Sequence, residues 1–174
     1  MNKLVKMGRA VLVLGFLGVL VSSTANATTA TANLSVTATV AATCSISTTA
    51  LGFGAYDPVN ANASSPLDGT GTVVVTCTSG APAAVTLGQG ANANTGSTDA
   101  LPLRRMKDAA GAFLNYTLYQ DTGHTTIWGN TALTSVAQTG SGTASSVTVY
   151  GRIPAGQNVG SGSYADTVVA TVTF

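Results

Sequence analysis

From residue 30 to residue 42 the sequence alternates with a period of two. Ala30, Ala32, Leu34, Val36, Ala38, Val40 and Ala42 fall on one face, and Thr31, Asn33, Ser35, Thr37 and Thr39 on the other. Successive side chains of an extended strand point to opposite sides, so this pattern predicts one continuous amphipathic strand. An amphipathic helix would repeat its apolar positions every three and four residues. Cys44 keeps the same parity. The same period recurs along the chain, interrupted by clusters of Gly, Asn, Asp and Pro, which is the pattern of a sandwich or barrel. Composition agrees: only 7% of residues are charged, against about a quarter in ordinary domains. Glu is absent and Thr, Ser, Ala, Gly and Val dominate, which favours an all-β protein.

Residues 1–27 have the three-part layout of a secretory signal. Lys3, Lys6 and Arg9 precede a short apolar run at residues 10–21, and Ala25-Asn26-Ala27 supplies a cleavage site. The run is too short to cross a bilayer, which takes roughly 20 residues. Cleavage after Ala27 is expected to leave one domain with a core of its own. Three of the seven basic residues leave with the signal, so four remain against six acidic ones. That balance points to no nucleic-acid partner.

Export places Cys44 and Cys77, the two cysteines of the chain, in an oxidising compartment, where a disulfide between them is expected. Further strands are expected at residues 72–78, 83–87, 101–106, 113–120, 146–153 and 164–174, with a short apolar piece at Ile127 and Trp128. Residues 51–58, with two glycines and Asp57-Pro58, read as a bend, and residues 59–69 as an exposed loop. Trp128 reads as core. His124 reads as an exposed turn residue, and Arg104, Arg105 and Lys107 as a solvated strand end.

The last strand aligns Val168, Ala170, Val172 and Phe174 on one face, and no further segment follows to cover it. An apolar edge without a partner templates unwanted pairing. The spare strand at residues 30–40 is the natural complement, either folded back on its own domain or inserted into another copy.

Three motifs carry a family resemblance: Leu51-Gly-Phe-Gly-Ala-Tyr-Asp-Pro58; Leu114-Asn-Tyr-Thr-Leu-Tyr-Gln-Asp121 followed by Thr126-Ile-Trp-Gly129; and Tyr150-Gly-Arg-Ile-Pro-Ala-Gly-Gln157 running into residues 162–174. Together and in this order the chain resembles the spore coat U domain family, which includes the major pilins of archaic, Csu-type chaperone-usher pili. The resemblance implies an incomplete immunoglobulin-like β-sandwich whose missing seventh strand is completed by a donor strand. It implies a division into signal peptide (residues 1–27), donor strand (28–42) and pilin domain (43–174). The donor positions would be Ala30, Ala32, Leu34, Val36, Ala38 and Val40. Val168, Ala170, Val172 and Phe174 would edge the acceptor groove, and Cys44–Cys77 would tie the first strand to the second.

The implied partners are identical or homologous pilin subunits, a periplasmic chaperone and an outer-membrane usher. The implied destination is the periplasm and then a surface pilus that supports adhesion and biofilm formation. Two other roles are compatible with such a chain: a tip or minor adhesin of the same system, and a self-complemented, secreted glycan-binding module. An enzyme is not expected, because the sequence offers no paired carboxylates, no nucleophile elbow and no metal-ligand spacing. No cofactor is expected.

Overall fold

A computed structural model of the chain describes residues 25–174. The expected signal sequence, apart from its last three residues, lies outside them. The chain divides into two units between Ala38 and Thr39. In the first, residues 25–38 carry no regular secondary structure and are exposed. The alternation at residues 30–42 is therefore not realised as a strand in a single chain, where no backbone ladder accompanies it.

The second unit is nearly all β. Its strands are β1 (Cys44–Thr49), β2 (Leu67–Cys77), β3 (Pro82–Leu87), β4 (Arg104–Lys107), β5 (Phe113–Tyr119), β6 (Val136–Thr139), β7 (Ala144–Ile153) and β8 (Ala170–Thr173), with a helical turn α1 (Ala61–Ser64) and a 3-10 turn at Ala132–Thr134. They form two antiparallel sheets, one ordered β1-β2-β7-β5-β4 and the other β6-β3-β8. The alternation in sequence becomes alternation in burial. Val73, Val75 and Cys77 of β2, Val85 and Leu87 of β3, Leu114, Tyr116 and Leu118 of β5, and Val149 and Ile153 of β7 all point into one core. Trp128 sits at its centre with no exposed surface and donates its Nε1–H to the Val85 carbonyl at 2.9 Å, so its reading as core holds.

Cys44 and Cys77 are bonded across the β1–β2 pair, with Cα atoms 4.1 Å apart. The close approach is that of a non-hydrogen-bonded antiparallel pair, and the flanking bond is donated by Thr78 N to Thr43 O at 2.9 Å. The crosslink spans 33 residues, which in the chain-entropy account contributes about 3–4 kcal/mol. Replacing both cysteines with serine is expected to lower the unfolding free energy by that amount, measured by urea titration under non-reducing conditions.

Several expectations need correction. The loop expected at residues 59–69 contains α1, and β2 begins within it at Leu67, where Asp68 pairs with Arg152 of β7. Strand β6 was not anticipated, because four residues give too short an alternation to read. The long last strand is interrupted: Ala165 exchanges backbone bonds with Lys107, and regular pairing with β3 resumes at residues 170–173. Arg104 is not solvated but 1% exposed. The His124 side chain is 8% exposed, its ring edge-on to Tyr119 and Tyr150 at 5.2 and 6.3 Å and its Nε2 3.7 Å from Asp68 Oδ1. The turn that carries it folds back over β5 and β7, and it is the one non-glycine residue with positive φ (55°) among those described.

Candidate functional site

β1 and β8 are free edges of the two sheets, unpaired with each other although some of their Cα atoms approach within 8 Å, and the opening between the sheets lies beside Thr48, Thr49 and residues 164–170. Each has a partner on one side, β2 for β1 and β3 for β8, and none on the other. Val169 O accepts from Gly88 N and Thr167 O from Ala91 N, so the odd-numbered residues of the last segment turn their backbone groups toward β3 and its extension. Adjacent residues of a strand alternate in this respect, so Val168, Ala170 and Val172 turn theirs to the open side. Thr43 bonds toward β2, and by the same alternation Cys44, Ile46 and Thr48 face the opening from across. Two rows of backbone donors and acceptors thus confront each other.

Between them lies a groove of about 400 Å³ with Thr48, Thr49 and Leu51 on one wall and residues 164–168 and Ala170 on the other; Val73, Leu118 and Val149 are on its floor. A second cavity, about 670 Å³, continues past the shared residues Leu51, Phe53, Met106 and Tyr164 toward Pro58 and Gly160. The segment at residues 51–58 forms the wall common to both. Leu51 and Phe53 lie over a glycine track on β2 and β7: a Cβ at Gly71 would come within 2.9 Å of Leu51 Cβ, and one at Gly151 within 2.8 Å of both Leu51 Cδ1 and Phe53 Cζ. Tyr56 anchors the far end, donating to Pro154 O at 2.9 Å and accepting from Gln157 N at 2.9 Å. The segment is thus a fixed, irregular wall.

Of the groove-edge residues read from sequence, Val168, Ala170 and Val172 are half-buried and packed on the core. Phe174 shares their parity but is 56% exposed. Leu34, Val36 and Val40 are 87%, 84% and 82% exposed, and Ala30, Ala32 and Ala38 are exposed as well. Sequence reasoning missed the wall at residues 51–58, for which the glycines on β2 and β7 were the available signal. It also missed Arg104, which stands beside Arg105 and close to Lys107 and so gave no hint of burial. Among the described residues no cluster of His, Cys, Asp and Glu is arranged to hold a metal ion.

Three aspartates outside the groove are expected to make the domain acid-sensitive. Backbone N–H donors from Thr126 and Thr125 hold the Asp121 carboxyl down at about 2. The Arg152 guanidinium, at 2.7 Å on both oxygens, holds Asp68 below the usual carboxylate range. The N–H groups of Asn60 and Val59 do the same for Asp57. A carboxylate whose folded pKa is depressed adds stability that is present above its unfolded value, near 4, and lost as pH falls through the folded value. The melting temperature is therefore expected to fall between pH 4 and pH 2, and Asp121→Asn to reduce that fall, as followed by circular dichroism.

The family model of the Spore Coat Protein U domain matches residues 30–171. In sequence the chain is similar to Protein U of Myxococcus xanthus, with 51% identity over 127 residues, 71% of this chain and 71% of that protein. In structure it is similar to a chain of the CsuC–CsuE chaperone–tip adhesion subunit pre-assembly complex from the archaic chaperone-usher Csu pili of Acinetobacter baumannii. The TM-score is 0.55 at 21% identity over 78% of this chain, which spans 40% of the length of that one. At that identity the likeness is one of fold.

Proposed function

The chain belongs to the Spore Coat Protein U domain family, and from that premise we propose that it is a structural subunit of a chaperone-usher pilus. It is exported, and it polymerises by lending residues 30–40 to the open groove of the next copy. The observation that carries this reading is the pair of confronting unpaired edges, β1 and β8, over an apolar floor. An extended segment laid between them adds a strand to both, with backbone bonds on each side and alternate side chains in the groove. The alternating face Ala30, Ala32, Leu34, Val36, Ala38 and Val40 has the required period, and Val168, Ala170 and Val172 supply the accepting edge. Donor and acceptor lie at different places on the molecule, so the contact is heterologous and builds a filament. Before assembly the empty groove calls for a periplasmic chaperone, and release from it for an outer-membrane usher. The role is structural rather than catalytic.

The link to the next domain sets the direction of insertion. Val40 is joined to β1 through residues 41–43, which reach only about 10 Å. Cys44 and the end of β8 lie at the same pole, since Cys44 pairs with Cys77 and Thr173 with Ala84, close to the turn at residues 78–81. Each subunit's own N-terminal segment leaves from that pole. An incoming donor whose Val40 ended there would bring two neighbouring domains onto one pole within about 10 Å. The donor therefore runs antiparallel to β8 and ends at the opposite pole, beside Pro58 and Gly160.

Burial of Leu34, Val36 and Val40 contributes about 1.5–3 kcal/mol each, and each backbone bond about 1 kcal/mol net. Association costs roughly 4–15 kcal/mol. The balance favours the joint, and because its separation re-exposes the groove, the joint persists kinetically. Purified mature protein, refolded without other components, is expected to give a ladder of polymers in electrophoresis without heating. A lasting monomer at the same concentration would instead favour a self-complemented module.

A further inference from the structure

The groove has an apolar floor and threonines along its rim, and one partly buried charged assembly is built into its wall. Asp166, half-buried, lies where the last segment crosses between sheets: Ala165 before it bonds β4, and Thr167 after it bonds the chain beyond β3. Asp166 Oδ1 accepts from the backbone N and the Nδ2 of Asn92 at 3.1 and 3.0 Å, and Oδ2 accepts from the Tyr116 hydroxyl at 2.7 Å. The Tyr116 ring is 6% exposed and forms part of the groove floor. Burial, and then its hydrogen bond to Asp166, push the phenol's pKa far up, so it stays a donor. Gly90 passes directly over the carboxylate with φ of 88°, and a Cβ there would collide with Asp166 Oδ2. The loop is thus shaped around this one side chain.

An apolar groove open to water gains by closing, here by residues 164–170 moving toward β1. Closing would drag Asp166 away from Asn92 and Tyr116 and leave a half-buried carboxylate without its donors, which is costly. We infer that Asp166, with Tyr116 and Asn92, is a positioning device that holds the groove wall open and in register while the groove is empty, so that the donor segment of a second copy meets a preformed edge. This rests on the strand-donation reading. Once the donor is in place, its backbone ladder holds the wall and the device is no longer needed. Its removal therefore slows capture without loosening the finished joint, the behaviour expected of preorganisation.

The test uses the mature chain with Tyr116→Phe and, separately, Asn92→Ala, whose side chain lies outside the hydrophobic core and whose loss spares the fold. Polymer growth after refolding is followed by light scattering, and the melting temperature of finished polymers is measured on the same samples. Growth about tenfold slower, with the melting temperature of the polymers lowered no further than that of the unpolymerised variant domain, is the expected result. Equal losses in rate and in polymer stability would make the set an ordinary core element and overturn the inference, as would wild-type rates in both variants. If the wild-type chain itself never polymerises, the donation reading fails, which is a different outcome from either of these.

Discussion

Aspartate at both Leu34 and Val36 is expected to abolish polymers and to leave the domain as stable as the wild type. In the single chain these side chains are 87% and 84% exposed, so the substitution removes no packing from the folded subunit. In the proposed joint it would force two carboxylates against a floor of Val73, Leu118 and Val149, where no cation waits for them. A buried ion without a partner costs several kcal/mol, and the apolar burial of about 1.5–3 kcal/mol per residue is lost as well. The combined penalty is on the order of 10 kcal/mol, a weakening of about ten-millionfold. Electrophoresis without heating, alongside thermal melting of the monomer, measures both halves of the expectation. Polymers that survive the double substitution would mean that another segment fills the groove.

The largest effect on the subunit itself is expected at Arg104. Its Nη2 donates to the carbonyls of Leu87 and Trp128 at 2.9 and 2.8 Å, and its Nε to that of Gly88 at 2.9 Å. One side chain from β4 thus gathers the end of β3 and the strand-like piece that carries Trp128. Burial lowers its pKa to about 10, against the pull of Tyr116 and Asp166, so it remains charged in any ordinary medium. Arg104→Met keeps most of the volume but orphans three acceptors, each worth about 1–3 kcal/mol. Part of this is offset by no longer burying a cation. The net destabilisation is about 3–5 kcal/mol, and the melting temperature falls by about 10–20 °C. Arg104→Lys does not rescue, because an ammonium is a single point of donation and cannot span three carbonyls.

The long strands were legible because one face of each is buried. Alternation at Val73, Val75 and Cys77, or at Leu114, Tyr116 and Leu118, is a direct record of that burial, and the core status of Trp128 followed from its being a lone large aromatic. Short or bent pieces were not legible. Four residues at β6 carry too little periodicity, and the last segment reads as one strand although the crossing at Asp166 divides it. Polar residues with interior roles were the hardest. Arg104 and His124 look like surface residues in sequence, and only the fold brings three carbonyls to one and two tyrosines to the other. The last segment was legible in part: the parity of Val168, Ala170 and Val172 matches their packing on the core, whereas the wall at residues 51–58 depends on Leu51 and Phe53 meeting Gly69, Gly71 and Gly151, contacts distant in sequence. Phe174, legible as a groove residue by parity alone, is mostly exposed in the single chain.

Electron cryo-microscopy of assembled filaments tests strand donation most directly. Strand donation predicts continuous density for residues 30–40 of one copy between β1 and residues 164–172 of the next, antiparallel to β8, with Leu34 and Val36 facing inward and Val40 at the pole of Pro58 and Gly160. Density for residues 30–40 folded into the groove of their own chain, or a groove left open while the subunits touch elsewhere, would contradict it.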